Sequence, residues 1–295
     1  MGSVLGIDVG GSRIKAARFA ADGELLARVG AATPAGPEVT ATVRSLAVQL
    51  RQADTVAAGV VLPGVIDRAN GVVRWSANLG WRDVPLRGQL AADLGLPVVL
   101  EHDVTAAALA EHAAIGSDLF YVGLGTGIGA ANVVHGAVSP GASGLAGELG
   151  HAPVRTDGET CSCGQVGCLE VYASAASIAR RYVARGGPAG SSSADVVAAQ
   201  GIDSLAAEVW RDAVEALGVA LATATLLLDP ARIVLGGGLA TAGEALVAPV
   251  AEALAARLKW RPAPAVSAST LGLDAGVRGA ALLAAQLATT SVVAP

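Results

Sequence analysis

The sequence predicts an α/β protein made of two similar halves, each containing a mixed β-sheet. Two features of the residue pattern predict this class: apolar, β-branched runs end in glycine turns, and segments with helical apolar spacing follow them. The same order of segments then restarts near Asp118, which predicts an internal repeat. The chain has 295 residues, 53% of them hydrophobic and 15% charged, so it can bury a large core and is neither disordered nor fibrous.

The first half begins with three predicted strands separated by tight turns, in the segments VLGIDVG, IKAARFA and ELLARVG. Helical spacing and then a β-branched run predict a helix followed by a strand, in VTATVRSLAVQLRQ and TVAAGVVLPG. A further strand that leads directly into a helix is predicted in LPVVLEHD and VTAAALAEHAA. We therefore expect a small N-terminal α/β domain over residues 1–115.

The second half repeats this plan, with two strands and a third short segment predicted in LFYVGLGTG, IGAANVVHG and AVSPG. A long helix is predicted over Ser204–Leu228, and the Gly- and Ser-rich RGGPAGSSSAD before it predicts a loop between helices. The strand ARIVLGGG and the helical segment GEALVAPVAEALAARL come next. We expect a larger domain over residues 116–275 and a closing helix, about 276–295, that packs back onto the first domain.

Charge and hydropathy exclude several classes of partner. A formal net charge of −5 gives no electrostatic footprint for nucleic acid. The most apolar stretch, Leu217–Leu228, is followed by Asp229-Pro230 and is too short to span a bilayer, so we expect no membrane partner. No secretory signal precedes the first strand and the cysteines are few, so we expect a cytoplasmic protein with reduced thiols.

All three cysteines of the chain lie within CSCGQVGCLE. An odd number in a long chain does not indicate a disulfide framework, whereas zinc requires four ligands. His151 in the preceding GELGH completes the pattern H-x9-C-x-C-x4-C with Cys161, Cys163 and Cys168. The competing interpretation is three buried free thiols near a surface histidine, which the tight spacing and the intervening glycines disfavour. The pattern therefore predicts a structural Cys₃His zinc site.

Two carboxylates lie close to these residues in the sequence. Glu148 precedes His151 by three positions, and Glu170 follows Cys168 by two. An ion that orders this segment would hold both carboxylates near one another, where they can accept hydrogen bonds from the hydroxyls of a polyol. A histidine bound to zinc through one nitrogen can offer the other N–H to the same ligand. The alternative is a pair of solvated surface glutamates.

Asp103 lies at the predicted end of a strand and the start of a helix, where ligand sites of α/β proteins collect. An aspartate there is also an ordinary helix N-cap, so its position alone leaves both roles open. The chain also contains the carboxylates Glu148 and Glu170, which could bind a polyol, and glycine loops that could bind phosphate. Together with these, Asp103 is the candidate general base.

Three glycine loops are candidates for contact with phosphate, because backbone amides can approach closely where no side chain intervenes. They are DVGGS at 8–12, GLGTGIG at 123–129 and LGGGLA at 235–240. Each can also be a simple turn. A dinucleotide fingerprint needs a following helix, but ANVVHG predicts a strand, and no GxxxxGK[ST] motif is present. Asp8 is either a turn residue or a ligand of Mg²⁺.

Taken together, these residues resemble the ROK family (repressors, uncharacterised reading frames and sugar kinases) over nearly the whole chain. DVGGSRIK resembles its first phosphate motif, LGTGIG the second and LGGGLA the adenosine-side loop, while LPGVID, NLGW and EHD occur in the family's order. ELGH followed by CSCGQVGCLE is similar to the family's sugar and zinc signature. The resemblance implies a two-domain actin/hexokinase-like (ribonuclease H-like) fold with a cleft between the domains and a small zinc-binding insert.

The resemblance also implies a reaction: ATP-dependent phosphorylation of the primary, C6-type hydroxyl of glucose or a glucose-like hexose. It implies ATP, Mg²⁺ and structural Zn²⁺ as cofactors, and a homodimer or dimer of dimers. Asp103 resembles the catalytic base and Asp8 the metal-side aspartate. The residues that resemble sugar contacts are Gly64, Asn78, His102, Asp103, Glu148, His151 and Glu170. Those that resemble nucleotide contacts are Asp8, Gly10, Gly11, Ser12, Lys15, Gly125, Thr126, Gly127 and Gly237.

Two residues depart from the family pattern. Ser12 replaces a threonine and keeps the hydroxyl, whereas His102 stands where sugar kinases carry asparagine. His102 leaves two substrates open: glucose itself, or a modified sugar, amino sugar or cyclitol. A sugar-sensing regulator would carry a DNA-binding module before the first strand, and a silent sugar-binding protein would be expected to lack Asp103 or a phosphate loop. We therefore expect a kinase.

Overall fold

The computed structural model describes residues 2–293, with side chains up to residue 290. The strands are β1 (Ser3–Val9), β2 (Arg13–Phe19), β3 (Leu25–Ala32), β4 (Thr55–Leu62), β5 (Val65–Asp67), β6 (Val72–Ser76), β7 (Trp81–Val84), β8 (Val98–His102), β9 (Leu119–Leu124), β10 (Ile128–Val134), β11 (Ala137–Val138), β12 (Arg232–Gly236) and β13 (Ala265–Ala268). The helices are α1 (Glu38–Leu50), α2 (Leu86–Leu94), α3 (Asp103–Ile115), α4 (Glu170–Ala173), α5 (Ala175–Ala184), α6 (Ser193–Ala199), α7 (Ser204–Leu228), α8 (Glu244–Ala255) and α9 (Ala275–Val293).

These elements form two compact units. The first consists of the chain up to Glu111, the short segment Gly141–Leu145 and the chain from Asp274 onward; the second consists of His112–Pro140 and Ala146–Leu273. The functional domains expected over 1–115 and 116–275 stay a prediction. Residues 294 and 295 of the predicted closing helix lie outside the described residues.

Each unit contains a five-stranded mixed sheet of the same topology. The strand order is β3-β2-β1-β4-β8 in the first unit and β11-β10-β9-β12-β13 in the second. In both sheets an antiparallel meander forms one side and two parallel strands extend the other. The repeat predicted from the two glycine-rich hairpins is confirmed by this correspondence.

Helix α9 lies directly against the centre of the first sheet because glycines leave room for its backbone. Gly6 and Gly59 are register partners on β1 and β4. A Cβ atom added at Gly6 would overlap the carbonyl oxygen of Val277, and one added at Gly59 would overlap that of Ala280. The buried Val277, Ala280 and neighbouring alanines of α9 fill this close interface. The helix therefore begins at the end of β1 that carries Asp8.

The long helix α7 organises the second unit. Asp203 caps its start, accepting hydrogen bonds at Oδ1 from the backbone N–H groups of Leu205 (2.8 Å) and Ala206 (3.4 Å). Asp229 ends it in a left-handed conformation with φ of 45°, directly before Pro230. The predicted bounds of this helix are confirmed. Its apolar face packs against α4, α5, α6 and α8 in the larger core of the molecule.

Short elements differ from the sequence-based expectation. Sequence patterns did not predict α2 or the small antiparallel sheet β5-β6-β7. The strands have three to five residues and the helix has nine, which is too short for a clear apolar period. The third segment of the second half, AVSPG, forms only the two-residue strand β11. No helix within residues 2–293 is both long and apolar enough to cross a membrane.

Candidate active site

Asp8 lies near the end of β1 in the first unit, opposite its register partner Lys15 on β2. A Cβ atom added at Gly276, in the first turn of α9, would lie 2.7 Å from Asp8 Oδ2, so glycine is needed beside the carboxylate. Burial raises the pKa of Asp8 to about 7; the nearby Asp103 carboxylate adds to this shift and Lys15 opposes it. A cation beside Asp8 would favour its ionised form, so the position suits a divalent metal ion.

The first glycine loop connects β1 to β2 in the same unit. The Gly10 N–H donates to the Arg13 carbonyl oxygen at 3.1 Å, and the Thr33 hydroxyl donates to the Gly10 carbonyl oxygen at 2.6 Å. A Cβ atom added at Gly11 would lie 3.4 Å from Asn78 Cβ. The structure therefore brings one predicted sugar contact, Asn78, beside the predicted phosphate loop.

Gly64, another predicted sugar contact, follows β4. Its φ of 128° suits glycine alone, and a Cβ atom there would overlap the Trp75 carbonyl oxygen. The turn after β4 therefore packs directly on β6, so its backbone position is fixed by both conformation and contact.

Asp103 is the first residue of α3, directly after β8. Its Oδ1 accepts a hydrogen bond from the Val104 N–H at 2.8 Å and lies 3.1 Å from His102 Nδ1. The side chains of His102 and Asp103 are 23% and 28% exposed, so both remain within reach of a ligand. The two residues predicted to serve as base and as specificity residue are thus direct neighbours through their side chains.

A salt bridge that the sequence analysis did not predict holds the same corner of the chain. The Glu101 carboxylate accepts a hydrogen bond from the His102 N–H at 2.7 Å. It also accepts from Arg68 Nε, which lies 2.9 Å from Oε1 and 2.7 Å from Oε2. Arg68 and Glu101 are 33 residues apart, so no local pattern marks the pair. An isolated glutamate at the end of an apolar strand is the only hint in the sequence.

In the second unit, the structure brings together the four predicted zinc ligands. One ligand atom from each of His151, Cys161, Cys163 and Cys168 lies within 4.8 Å of the others. His151 Nδ1 is 3.8 Å from Cys161 Sγ, and Cys163 Sγ is 3.7 Å from Cys168 Sγ. A tetrahedral zinc ion with bonds of about 2.0–2.3 Å separates its ligand atoms by roughly 3.5–3.8 Å. The donor set and its spacing therefore fit zinc.

The thiols of this cluster differ in environment. Burial raises the pKa of the Cys168 thiol to about 12, whereas a hydrogen bond from the Gln165 backbone lowers that of the exposed Cys163. The Gly164 N–H donates to the Cys161 carbonyl oxygen at 2.9 Å, which closes the turn between the ligands. A bound cation would displace the thiol protons and satisfy the buried sulfur atoms.

His151 presents its two ring nitrogens to different partners. Nδ1 faces Cys161, while Nε2 is 4.0 Å from Glu148 Oε2. Glu170 Oε2 instead accepts the Ile128 N–H at 2.9 Å, and a Cβ atom added at Gly127 would lie 2.7 Å from this oxygen. The two glutamates that the sequence analysis grouped therefore have separate partners, and Glu170 is held against the second glycine loop.

The second and third glycine loops lie together in this unit. The Gly125 N–H donates to the Gly127 carbonyl oxygen at 3.0 Å, and the intervening Thr126 is exposed. Gly237 has a φ of 81°, and a Cβ atom there would lie 2.5 Å from the Leu124 carbonyl oxygen. The backbone of the third loop thus contacts the end of β9, from which the second loop leaves.

A buried charged network links the cysteine loop to α4, α5 and α7. Arg181, 3% exposed, donates to Glu159 Oε1 and Asp212 Oδ2, each at 2.7 Å. The guanidinium groups of Arg155 and Arg181 lie 4.5 and 4.9 Å from the Tyr172 ring centroid. The Tyr172 hydroxyl accepts the Glu159 N–H at 2.8 Å. Because Tyr172 lies on the same short helix as Glu170, this network fixes the segment that carries both Glu170 and the cysteines.

Comparison with known proteins shows similarity along almost the full length. The profile of the ROK family matches residues 4–287. A glucokinase of Streptomyces coelicolor is 32% identical over 311 residues, covering 96% of this chain and 98% of that protein. An N-acetylmannosamine kinase of Citrobacter koseri is 33% identical over 297 residues, covering 96% and 98%. The crystal structure of a ROK family glucokinase from Streptomyces griseus, in complex with glucose and AMPPNP, has a TM-score of 0.87 and 31% identity, covering 97% of this chain and all of that one.

Proposed function

The chain belongs to the ROK family, and from this premise we propose that it is an ATP-dependent kinase acting on the primary hydroxyl of glucose or a glucose-like hexose. The observation that carries the proposal is the partly exposed Asp103 carboxylate, which the Val104 N–H holds at the junction of β8 and α3. Similarity over nearly the whole chain to a glucokinase supports the reaction, and the glucose and AMPPNP complex of the Streptomyces griseus enzyme supports the two substrates.

In the proposed reaction, Asp103 accepts the proton of the hydroxyl as its oxygen attacks the γ-phosphorus of ATP in line. The new O–P bond replaces the bond between that phosphorus and the bridging oxygen, and ADP leaves. Backbone amides of the glycine loops offset the charge of the phosphates. Mg²⁺ at Asp8, when bound, supplies further charge neutralisation to the transferring group.

The remaining site residues divide by ligand. The sugar hydroxyls bind to Gly64, Asn78, His102, Glu148, His151 and Glu170. The nucleotide contacts Gly10, Gly11, Ser12, Lys15, Gly125, Thr126, Gly127 and Gly237. His151 Nδ1 and the three cysteine sulfurs hold a structural zinc ion, whose geometric fit supports this role. His151 Nε2 is then free of the metal and can donate to a sugar hydroxyl.

The remaining features of this proposal rest on the family resemblance. The first functional domain comprises residues 1–115 with the helix at about 276–295, and the second comprises 116–275. The protein acts in the cytoplasm as a homodimer or a dimer of dimers. Light scattering on the purified protein tests the assembly, and a single monomeric mass at micromolar concentration would contradict it.

A modified sugar is the second candidate substrate. The family resemblance implies an asparagine at the position of His102. This chain is also 33% identical to an N-acetylmannosamine kinase, an enzyme named for an amino sugar, which is similar to its identity with the glucokinases. Imidazole is rigid and offers fewer hydrogen bonds than an amide. A hydroxyl left unpaired in the site would cost about 1–3 kcal/mol, which is enough to change substrate preference.

A substrate panel in a coupled ADP-release assay tests the proposal and separates the candidates. The panel contains glucose, mannose, N-acetylated hexosamines, glucoses modified at C3 or C4, and cyclitols. Sugar-dependent ADP release supports the kinase, and the highest kcat/KM identifies the substrate. If no member releases ADP while a sugar still binds, a non-catalytic sugar-sensing role replaces the kinase.

A further inference from the structure

We infer that His102 is a positioning residue that fixes one oxygen of Asp103, which leaves Asp103 Oδ2 as the atom that takes the proton from the substrate. The inference rests on the proposed kinase function and assigns roles to individual atoms of that site. It starts from the contact between His102 Nδ1 and Asp103 Oδ1 at 3.1 Å.

The position of the Val104 N–H decides which ring nitrogen of His102 carries the proton. This N–H is 2.8 Å from Asp103 Oδ1 and 3.3 Å from His102 Nδ1, measured from the nitrogen. Both contacts have hydrogen-bond geometry, so the N–H is shared, but the carboxylate is the nearer and the stronger acceptor and takes the larger part of the bond. Nδ1 is therefore not required as an acceptor for Val104.

The contact between Nδ1 and Oδ1 is favourable only when Nδ1 carries a proton. An ionised carboxylate oxygen accepts and cannot donate, so an unprotonated Nδ1 would place two lone pairs 3.1 Å apart. With Nδ1 protonated, Oδ1 accepts from two donors, His102 Nδ1–H and Val104 N–H. Both donors fix the rotation of the carboxylate about its Cβ–Cγ bond.

The backbone of His102 is fixed as well. Its N–H donates to Glu101 Oε1 at 2.7 Å, and Glu101 is held in turn by Arg68. Because the backbone of His102 is anchored independently of Asp103, its ring can define the orientation of the neighbouring carboxylate. A surface histidine with a mobile ring could not do so.

This assignment changes what His102 offers to a substrate. A neutral ring with the proton on Nδ1 presents Nε2 as an acceptor, so a contacting ligand must supply a donor. A hydroxyl or an amide N–H meets this requirement, whereas an ether or carbonyl oxygen does not. An asparagine in the same place would offer both a donor and an acceptor.

Two substitutions separate the roles of the two nitrogens. The Asn side-chain nitrogen is the same number of bonds from Cα as His Nδ1, whereas the Gln nitrogen matches Nε2. His102→Asn therefore keeps a donor for Asp103 Oδ1, and His102→Gln removes it. We expect kcat within about threefold of wild type for His102→Asn and roughly 10- to 100-fold lower for His102→Gln, the effect of losing a charge-assisted hydrogen bond.

The experiment measures kcat and KM for both variants with the best substrate of the panel, using His135→Gln as a control on an exposed histidine (93% exposed). The same substitutions are made in an Asp103→Asn background, where we expect them to differ by less than threefold. Equal kcat values for His102→Asn and His102→Gln, or an effect confined to KM, would overturn the positioning role. His102 would then only contact the substrate.

A spectroscopic readout keeps the inference testable even if the proposed reaction fails. Two-bond ¹H–¹⁵N NMR correlations of the four histidines in the chain report which ring nitrogen is protonated, and the His102→Asn spectrum assigns the signal. We expect neutral His102 to carry its proton on Nδ1 in wild type and on Nε2 in Asp103→Ala. Protonation of Nε2 in wild type would contradict the inference, whereas a missing kinase activity would contradict only the proposed function.

Discussion

Asp8→Asn is expected to stabilise the protein increasingly as the pH rises. The pKa of this carboxyl group is raised from 3.8 to about 7 by burial, with a further contribution from Asp103. Between these two values the folded state holds a proton that the unfolded state has released. The free energy of unfolding therefore falls as the pH rises from about 4 to 7, and the asparagine variant lacks this loss.

The size of the effect follows from the pKa difference. About three units at 1.36 kcal/mol per unit give an upper bound of ~4 kcal/mol above pH 7. Asp8 keeps partial exposure, so water screens part of this penalty and we expect roughly 2 kcal/mol. The same substitution should abolish most kinase activity, because it removes the proposed metal-side carboxylate.

Urea unfolding of wild type and Asp8→Asn at pH 5 and pH 8, in buffer without Mg²⁺, measures the difference. Asp22→Asn is the matched control, since Asp22 is an exposed turn residue whose Oδ1 accepts the Glu24 N–H at 3.0 Å, a bond that asparagine keeps. If the stability difference between wild type and Asp8→Asn were the same at both pH values, burial of a titrating carboxylate would be the wrong explanation for this site.

Three further perturbations test the metal site, the charged network and the helix–sheet contact. Cys163→Ser should lose both bound zinc and sugar affinity, whereas Ser162→Ala should keep both. Elemental analysis measures the zinc and calorimetry the sugar affinity. A metal-free protein with full activity would contradict the role of the metal. Arg181→Met should lower the free energy of unfolding by about 3 kcal/mol, because two carboxylates lose a buried partner. The exposed neighbour Arg180→Met should change it by less than about 1 kcal/mol, and equal effects would argue against the network. Gly59→Ala should destabilise the protein by about 1–3 kcal/mol, because the added methyl group overlaps the α9 backbone. Gly88→Ala is the control: no atom lies within 4 Å of its methyl group, and it should stabilise α2 by about 0.5–1 kcal/mol. Thermal unfolding that ranks the two variants the other way would refute the close packing of α9.

The residue pattern predicted those parts of the fold that depend on local sequence. Helix α7 was predicted with its observed bounds, because Asp203 marks its start and Asp229-Pro230 its end. The hairpins around the first two glycine loops were predicted because each loop is a glycine-rich stretch between two apolar, β-branched segments. The elements that were missed are short, with ten residues or fewer: α2, α4 to α6, β5 to β7 and β13. Helix α6 begins at Ser193, inside the segment predicted as a loop, where Ser192 and Asp195 form a capping box.

The candidate site divides in the same way. The cysteine and histidine cluster was predicted because its ligands lie close together in the sequence. The Arg68–Glu101 pair and the contacts of Arg181 with Glu159 and Asp212 were not predicted, because they join residues 22 to 33 positions apart. The contact between His102 Nδ1 and Asp103 Oδ1 was also not predicted, because it depends on the rotamers of two adjacent side chains, which no residue pattern reports.

Single-turnover phosphorylation of glucose, followed by ³¹P NMR and compared between wild type and Asp103→Asn, tests the central claim most directly. Wild type should convert glucose and ATP into ADP and a sugar phosphate esterified at the primary hydroxyl. Asp103→Asn should bind glucose with unchanged affinity but react roughly 10²- to 10⁴-fold more slowly, the usual contribution of a positioned general base. A loss of less than tenfold would contradict the assignment of Asp103 as the base, and the absence of any sugar phosphate from the whole substrate panel with wild type would contradict the proposed kinase function.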